Sequence, residues 1–160
     1  MYRVLWIRDS QGKSGRAERL DMNNYEIELK SFFLDQVSQA ISDNEKNFLE
    51  LKEDPSNAAL VDKIFRWTHS LKGGARALGF FQLGVFNHEL ESVLLKIRNK
   101  ELVANKITVN LLLRCNDQMR IFVNTWQKNQ TDAVDCKELV DEIRLLSGFE
   151  DTVDGGKGAT

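Results

Sequence analysis

The stretch Thr68-His69-Ser70-Leu71-Lys72-Gly73-Gly74-Ala75-Arg76 places a histidine, a lysine and two glycines inside a segment with a strong amphipathic pattern. Imidazole has the unperturbed side-chain pKa nearest neutrality, so it can act as a nucleophile without a dedicated activating base. A lysine one helical turn on is placed to neutralise an anionic group attached to that ring. The glycines cost a helix about 1 kcal/mol each relative to alanine, so something other than helix stability accounts for them. A second polar cluster, His88-Glu89-Leu90-Glu91, follows a short way along the chain. Together these residues point to nucleophilic chemistry on an anionic group.

Other chemistries fit less well. Metal binding by His69 and His88 would need further ligands at suitable spacing, and neither HExxH nor a cysteine-rich pattern occurs. In Lys72-Gly73-Gly74 the lysine precedes the glycines, the reverse of a phosphate-binding P-loop. Cys115 and Cys136 stand far apart and outside any CxxC, which reads as reduced thiols of a cytoplasmic protein. No acid/base carboxylate pair stands out.

Composition sets the frame. The chain has 160 residues with 42% hydrophobic and 29% charged, enough for a single domain with a sizeable core. A formal net charge of −2 argues against broad phosphate neutralisation, so no nucleic-acid partner is expected. No segment approaches the roughly 20 apolar residues of a membrane helix, and no membrane insertion is expected.

The elements that must position the histidine are all helical. Residues 1–22 read as a leader or linker, with Tyr2–Ile7 as a lone strand or arm. From about Asn24, Leu29, Phe32, Phe33, Val37, Ala40, Ile41, Phe48 and Leu51 recur at helical spacing. Asp54 is expected to cap a second helix with Pro55 at its first position, running to Leu78 before Gly79. A third helix follows from Phe80 to near Asn99, and Thr108 is expected to cap a fourth. Asp132 is expected to cap a fifth, shorter helix ended by Gly148. The fold expected is all-α: an antiparallel up-and-down four-helix bundle over 23–130, an additional C-terminal helix over 131–148 and a flexible tail over 149–160.

At about 100° per residue, Leu60, Ile64, Trp67, Thr68, Leu71, Ala75 and Leu78 share one arc of roughly 100°, and His69 projects about 150° from its centre. Lys72, Gly73 and Arg76 project from the same outer side as His69. Gly74 lies at the edge of the buried face, where it would admit a neighbouring helix, whereas Gly73 points outward beside the histidine. Gly79 turns the chain tightly, so the second and third helices are antiparallel neighbours. His69 and Glu91 then lie at similar depth, and Glu91 can accept a hydrogen bond from one imidazole nitrogen and fix the tautomer.

The block Ile64-Phe65-Arg66-Trp67-Thr68-His69-Ser70-Leu71-Lys72-Gly73-Gly74-Ala75, with Leu78-Gly79-Phe80 and His88-Glu89-Leu90-Glu91, resembles histidine phosphotransfer (HPt) domains. It most resembles those at the N-terminus of chemotaxis-type histidine kinases, over about Asn24 to Lys128. The resemblance implies a phosphocarrier without its own ATP site, passing a phosphoryl group between a histidine kinase catalytic domain, in the same or a separate chain, and a response-regulator receiver domain. It implies His69 as phosphoacceptor through Nε2, Lys72 neutralising the phosphoryl oxygens, Glu91 holding Nδ1, His88 as a nearby polar residue and Gly73 admitting the partner. Arg76 joins this set from the helical wheel alone. No intrinsic cofactor is implied, and Mg²⁺ is expected on the partner receiver or kinase. Gly74 stands where the family more often has Ser or Ala. A non-phosphorylated helical adaptor that docks signalling partners is the alternative.

Overall fold

The computed structural model describes the backbone of residues 16–129 and 134–148, and the side chains of 23–128 and 134–148. Among the described residues five helices follow one another: α1 (Arg16–Glu53), α2 (Ala58–Ala77), α3 (Phe81–Arg98), α4 (Lys106–Asn129) and α5 (Lys137–Ser147). α1 packs on α2 and α4, and α3 packs on α2, α4 and α5. The first four helices therefore close an up-and-down bundle, and α5 lies against α3. Among the described residues no helix is long and apolar enough to cross a membrane.

Each helix buries the stripe that its spacing dictates. Along α1 the buried stripe runs through Leu34, Val37, Ile41, Asn44, Phe48 and Leu51, an alternation of three- and four-residue steps, with Asn47 buried beside it. Leu29 and Phe32, expected in the core, are instead 40% and 62% exposed. The expected stripe is two residues wide at Phe32–Phe33 and Ala40–Ile41, and the bundle takes the side that continues through Leu34. In α2 the core residues are Leu60, Val61, Ile64, Thr68, Leu71 and Ala75; Thr68 satisfies its buried hydroxyl by donating to the Ile64 carbonyl at 3.0 Å.

The helix boundaries correct the expectations in four places. α1 begins at Arg16, so residues 16–22 belong to the helix rather than to a leader. Asn57, not Asp54, caps α2, its side chain accepting from the Leu60 amide at 3.1 Å. Asp54 sits in the preceding turn and accepts from the Ser56 hydroxyl. Likewise Asn105, not Thr108, caps α4, with the Thr108 amide and hydroxyl both donating to it. In both cases an asparagine three residues ahead of an amide supplies the oxygen that the first turn lacks. α5 starts at Lys137 behind Cys136, so 134–136 are not helical; Asp132, the lone-strand segment Tyr2–Ile7 and the tail 149–160 lie outside the described residues.

The α2–α3 connection fixes the geometry on which everything near His69 depends. Gly79 takes φ +83°, and the amides of Gly79 and Phe80 donate back to the carbonyls of Arg76 and Ala75 at 3.3 and 2.8 Å. This is the Schellman arrangement, in which a left-handed glycine closes the helix end. Phe80 then enters an aromatic run: its ring stacks on Phe33 of α1 at 5.7 Å and on Trp126 of α4 at 4.7 Å. Phe122 and Phe86 continue the run into α3. The turn is thereby held by three helices at once.

The two glycines of α2 separate as their directions on the helix require. A Cβ on Gly74 would lie 2.7 Å from the Phe33 ring, whereas one on Gly73 would meet nothing within 4 Å. Gly74→Val is expected to destabilise the fold by about 1–3 kcal/mol through overpacking against a ring that is itself stacked. Gly73→Ala is expected to stabilise it by about 0.5–1 kcal/mol through helix propensity. Urea denaturation of both variants beside the parent chain checks the pair; equal effects would contradict the assignment of the two faces.

Candidate functional site

α2 and α3 run side by side so that each seven-residue step along α2 is met by seven residues back along α3. Asp62 pairs with Arg98, His69 with Glu91, and Arg76 lies against Gly84. A seven-residue step returns a helix to nearly the same face, so the three pairs form one ladder down the outer seam. The site is its middle rung.

There Glu91 Oε1 accepts from His69 Nδ1 at 2.8 Å, and Glu91 Oε2 forms an ion pair with Lys72 Nζ at 2.6 Å. An ionised carboxylate only accepts, so the proton of the first bond sits on Nδ1 and the lone pair of the imidazole sits on Nε2. The side chains of Glu91 and Lys72 are 15% and 17% exposed, while that of His69 is 62% exposed. The carboxylate and ammonium thus form a mostly covered base, and the ring stands out from it into solvent.

Partial burial works against a charge on Glu91, but the hydrogen bonds from Lys72 and His69 outweigh it, helped by the positive charge nearby, and the carboxyl titrates below its ordinary range. Lys72 therefore helps to keep Glu91 ionised, and it sits one turn from the histidine.

The structure joins His69, Lys72 and Glu91 into one cluster. Gly73 is exposed beside the imidazole, with open space where a side chain would project. His88 is exposed one turn before Glu91, and no hydrogen bond or ion pair joins it to the cluster among the described residues. Arg76 lies a full rung away: its Cγ would be 2.8 Å from a Cβ on Gly84, so its stem crosses α3 above the site. Sequence reasoning passed over Phe65, whose ring stacks on His69 with centroids 6.4 Å apart. Its position four residues before His69 was the available signal. Among the described residues no group of three or more His, Cys, Asp or Glu is arranged to hold a metal ion.

The model of the Hpt domain family matches residues 28–122, a span that holds the whole cluster. The chain belongs to the Hpt domain family. It is a histidine phosphotransfer module. Its relatives include the chemotaxis protein CheA of Treponema pallidum, 33% identical over 139 residues, covering 87% of this chain and 17% of that protein. CheA of Listeria monocytogenes is 30% identical over 122 residues, covering 76% of this chain and 20% of that protein. The chain thus spans about a fifth of the length of these relatives. A solved structure of the phosphorylated P1 domain of CheA3 in complex with CheY6 from R. sphaeroides superposes with a TM-score of 0.69 at 24% identity, covering 76% of this chain and 96% of that one. That likeness carries the helical fold.

A carboxyl whose pKa is lower folded than unfolded stabilises the fold above its unfolded pKa and ceases to do so as pH falls through the folded value. Glu91 is therefore expected to stabilise the parent chain relative to Glu91→Gln above about pH 4.3, with the advantage fading on further acidification. Urea midpoints of the two proteins from pH 6 to pH 3 check this; a gap that widens toward acid would contradict it.

Proposed function

We propose that His69 carries a phosphoryl group on Nε2 between a histidine kinase and the aspartate of a response-regulator receiver. The observation that supports this reading best is the hydrogen bond between Nδ1 and a carboxylate, because in the neutral ring it places the lone pair on Nε2, on a side chain that is mostly exposed. From the neutral ring no proton has to leave before attack. The Nε2–P bond forms as the donor's bond to phosphorus breaks, and Nδ1 keeps its proton throughout. The ring then gains positive charge, which Glu91 offsets across 2.8 Å. On the return step the ring departs as neutral imidazole, a far better leaving group than an imidazolide, and an oxygen of the receiver aspartate takes the phosphoryl group. Such transfer depends on alignment and charge stabilisation more than on covalent help from the protein.

Lys72 keeps Glu91 charged and stands one turn from the phosphoryl group, whose oxygens it helps neutralise. Gly73 clears the approach of a receiver, and His88 and Arg76 lie on the rim that it would meet. Mg²⁺ comes with the receiver or the kinase, and no cofactor of this chain's own is invoked. The CheA relatives and the CheA3–CheY6 complex make a chemotaxis-type kinase and a CheY-like receiver the favoured partners, in the cytoplasm. The adaptor alternative gives no reason for His69, Lys72 and Glu91 to converge.

Incubation with a phosphorylated receiver domain, followed by intact-mass measurement at neutral pH, tests the reading. One acid-labile phosphoryl group is expected on the parent chain and none on His69→Gln, with the melting temperature of the variant nearly unchanged because the ring is exposed. Glu91→Ala and Lys72→Ala are expected to slow phosphorylation by about 10-fold or more without abolishing it. A label that persists in His69→Gln would contradict the assignment.

A further inference from the structure

One hydrogen bond fixes one atom of a ring, not its plane. With only Nδ1 held, an imidazole 62% exposed could swing about the line to Glu91 and carry Nε2 through a wide arc. We propose that Phe65 is a positioning residue that sets the plane of the His69 ring, and that Arg98, anchored by Asp62, holds Phe65 in place. The consequence for rate rests on the phosphotransfer reading above, whereas the geometry does not.

Phe65 precedes His69 by four residues, and helical side chains at that spacing lie one above the other. The two rings are 6.4 Å apart at their centroids and only 18° from parallel, within the range of offset stacking. Phe65 is itself half-buried against the bundle core, so its ring is a stiffer wall than a fully exposed one. Arg98 comes from α3, with its guanidinium carbon 4.9 Å from the Phe65 ring centroid, inside the reach of a cation–π contact. Asp62 Oδ1 holds Arg98 Nη2 at 3.1 Å, and Asp62 Oδ2 holds Arg66 Nη2 at 2.8 Å.

The lowest rung of the α2–α3 ladder thus supports the middle rung through an aromatic ring. Exposed ion pairs contribute little to stability, so the value of Asp62–Arg98 here is directional: it places a planar cation over Phe65. Glu91 then fixes where Nδ1 is, Phe65 fixes the ring plane, and the two together fix where the Nε2 lone pair points. An in-line displacement at phosphorus is sensitive to that direction.

The test uses Phe65→Leu, which keeps apolar bulk but removes the flat face, with Phe65→Tyr as the conservative control. NMR reads the His69 ring protons, which sense the neighbouring aromatic ring, and a phosphorylated receiver supplies the phosphoryl group for rate measurements. Phe65→Leu is expected to move the His69 ring shifts and to slow phosphorylation about 3–10-fold through the maximal rate, with the half-saturating receiver concentration unchanged. Phe65→Tyr is expected to restore both. Arg98→Gln, at an exposed position, is expected to move both in the same sense by a smaller amount, and it serves if Phe65→Leu disturbs the fold. Ring shifts that stay at their parent values in a folded Phe65→Leu or Arg98→Gln would overturn the proposal, as would an unchanged rate beside moved shifts. If the parent chain accepts no phosphoryl group, the phosphotransfer reading falls, while the ring shifts still decide whether Phe65 sets the plane.

Discussion

A carboxylate that is mostly withdrawn from water must find partners, and Glu91 finds both of its partners on the neighbouring helix. That pairing is where fold and chemistry meet. It requires α2 and α3 to be antiparallel, in one register, and close enough for a glutamate to span the seam. A slip of one residue would swing Glu91 about 100° around its axis. The Gly79 turn sets the register, the stack of Phe33, Phe80 and Trp126 clamps the turn, and Gly74 lets α1 supply the first of those rings. The features that stabilise the bundle are therefore the ones that aim the histidine.

Exposure is graded across the site in a way that suits a carrier. Glu91 and Lys72 are mostly covered, so their interaction is little screened by solvent; His69 is mostly open, so a partner can reach it. A buried nucleophile would need the module to open, and a fully solvated one would lose its orientation. Standing the ring on a mostly covered ion pair avoids both. α5 contributes from the far side of α3, where Arg144 donates to Glu89 at 3.0 and 3.1 Å and Arg114 grips Glu142 from α4. These contacts bind the helix that carries Glu91 to the rest of the molecule.

Much of this was legible in the chain itself. Helical spacing gave most of the buried face of α2, the outward direction of His69, and the shared depth of His69 and Glu91, which the structure reproduces, although Trp67 and Leu78 are only half-buried. Local propensity was less informative at the helix ends. Asp54 and Asn57 are both good caps, as are Asn105 and Thr108, and only the packed length of each helix chooses between them. Glu89 and Asn87 are buried in α3 although both are polar. Glu89 is covered because Arg144 of α5 meets it, a contact across 55 residues that no local pattern announces. Asn87 donates to the Leu83 carbonyl of its own helix at 2.9 Å. The Phe65–His69 stack lay in plain spacing, but spacing does not say which aromatic rings turn toward a polar neighbour.

In the proposed transfer Glu91 holds Nδ1 so that Nε2 does the chemistry. Long-range proton–nitrogen NMR of the phosphorylated protein, with its imidazole nitrogens labelled, reads this directly. The account predicts phosphorus attached to Nε2 of His69 and a retained proton on Nδ1. Phosphorus on Nδ1, or an Nδ1 that has lost its proton, would contradict it.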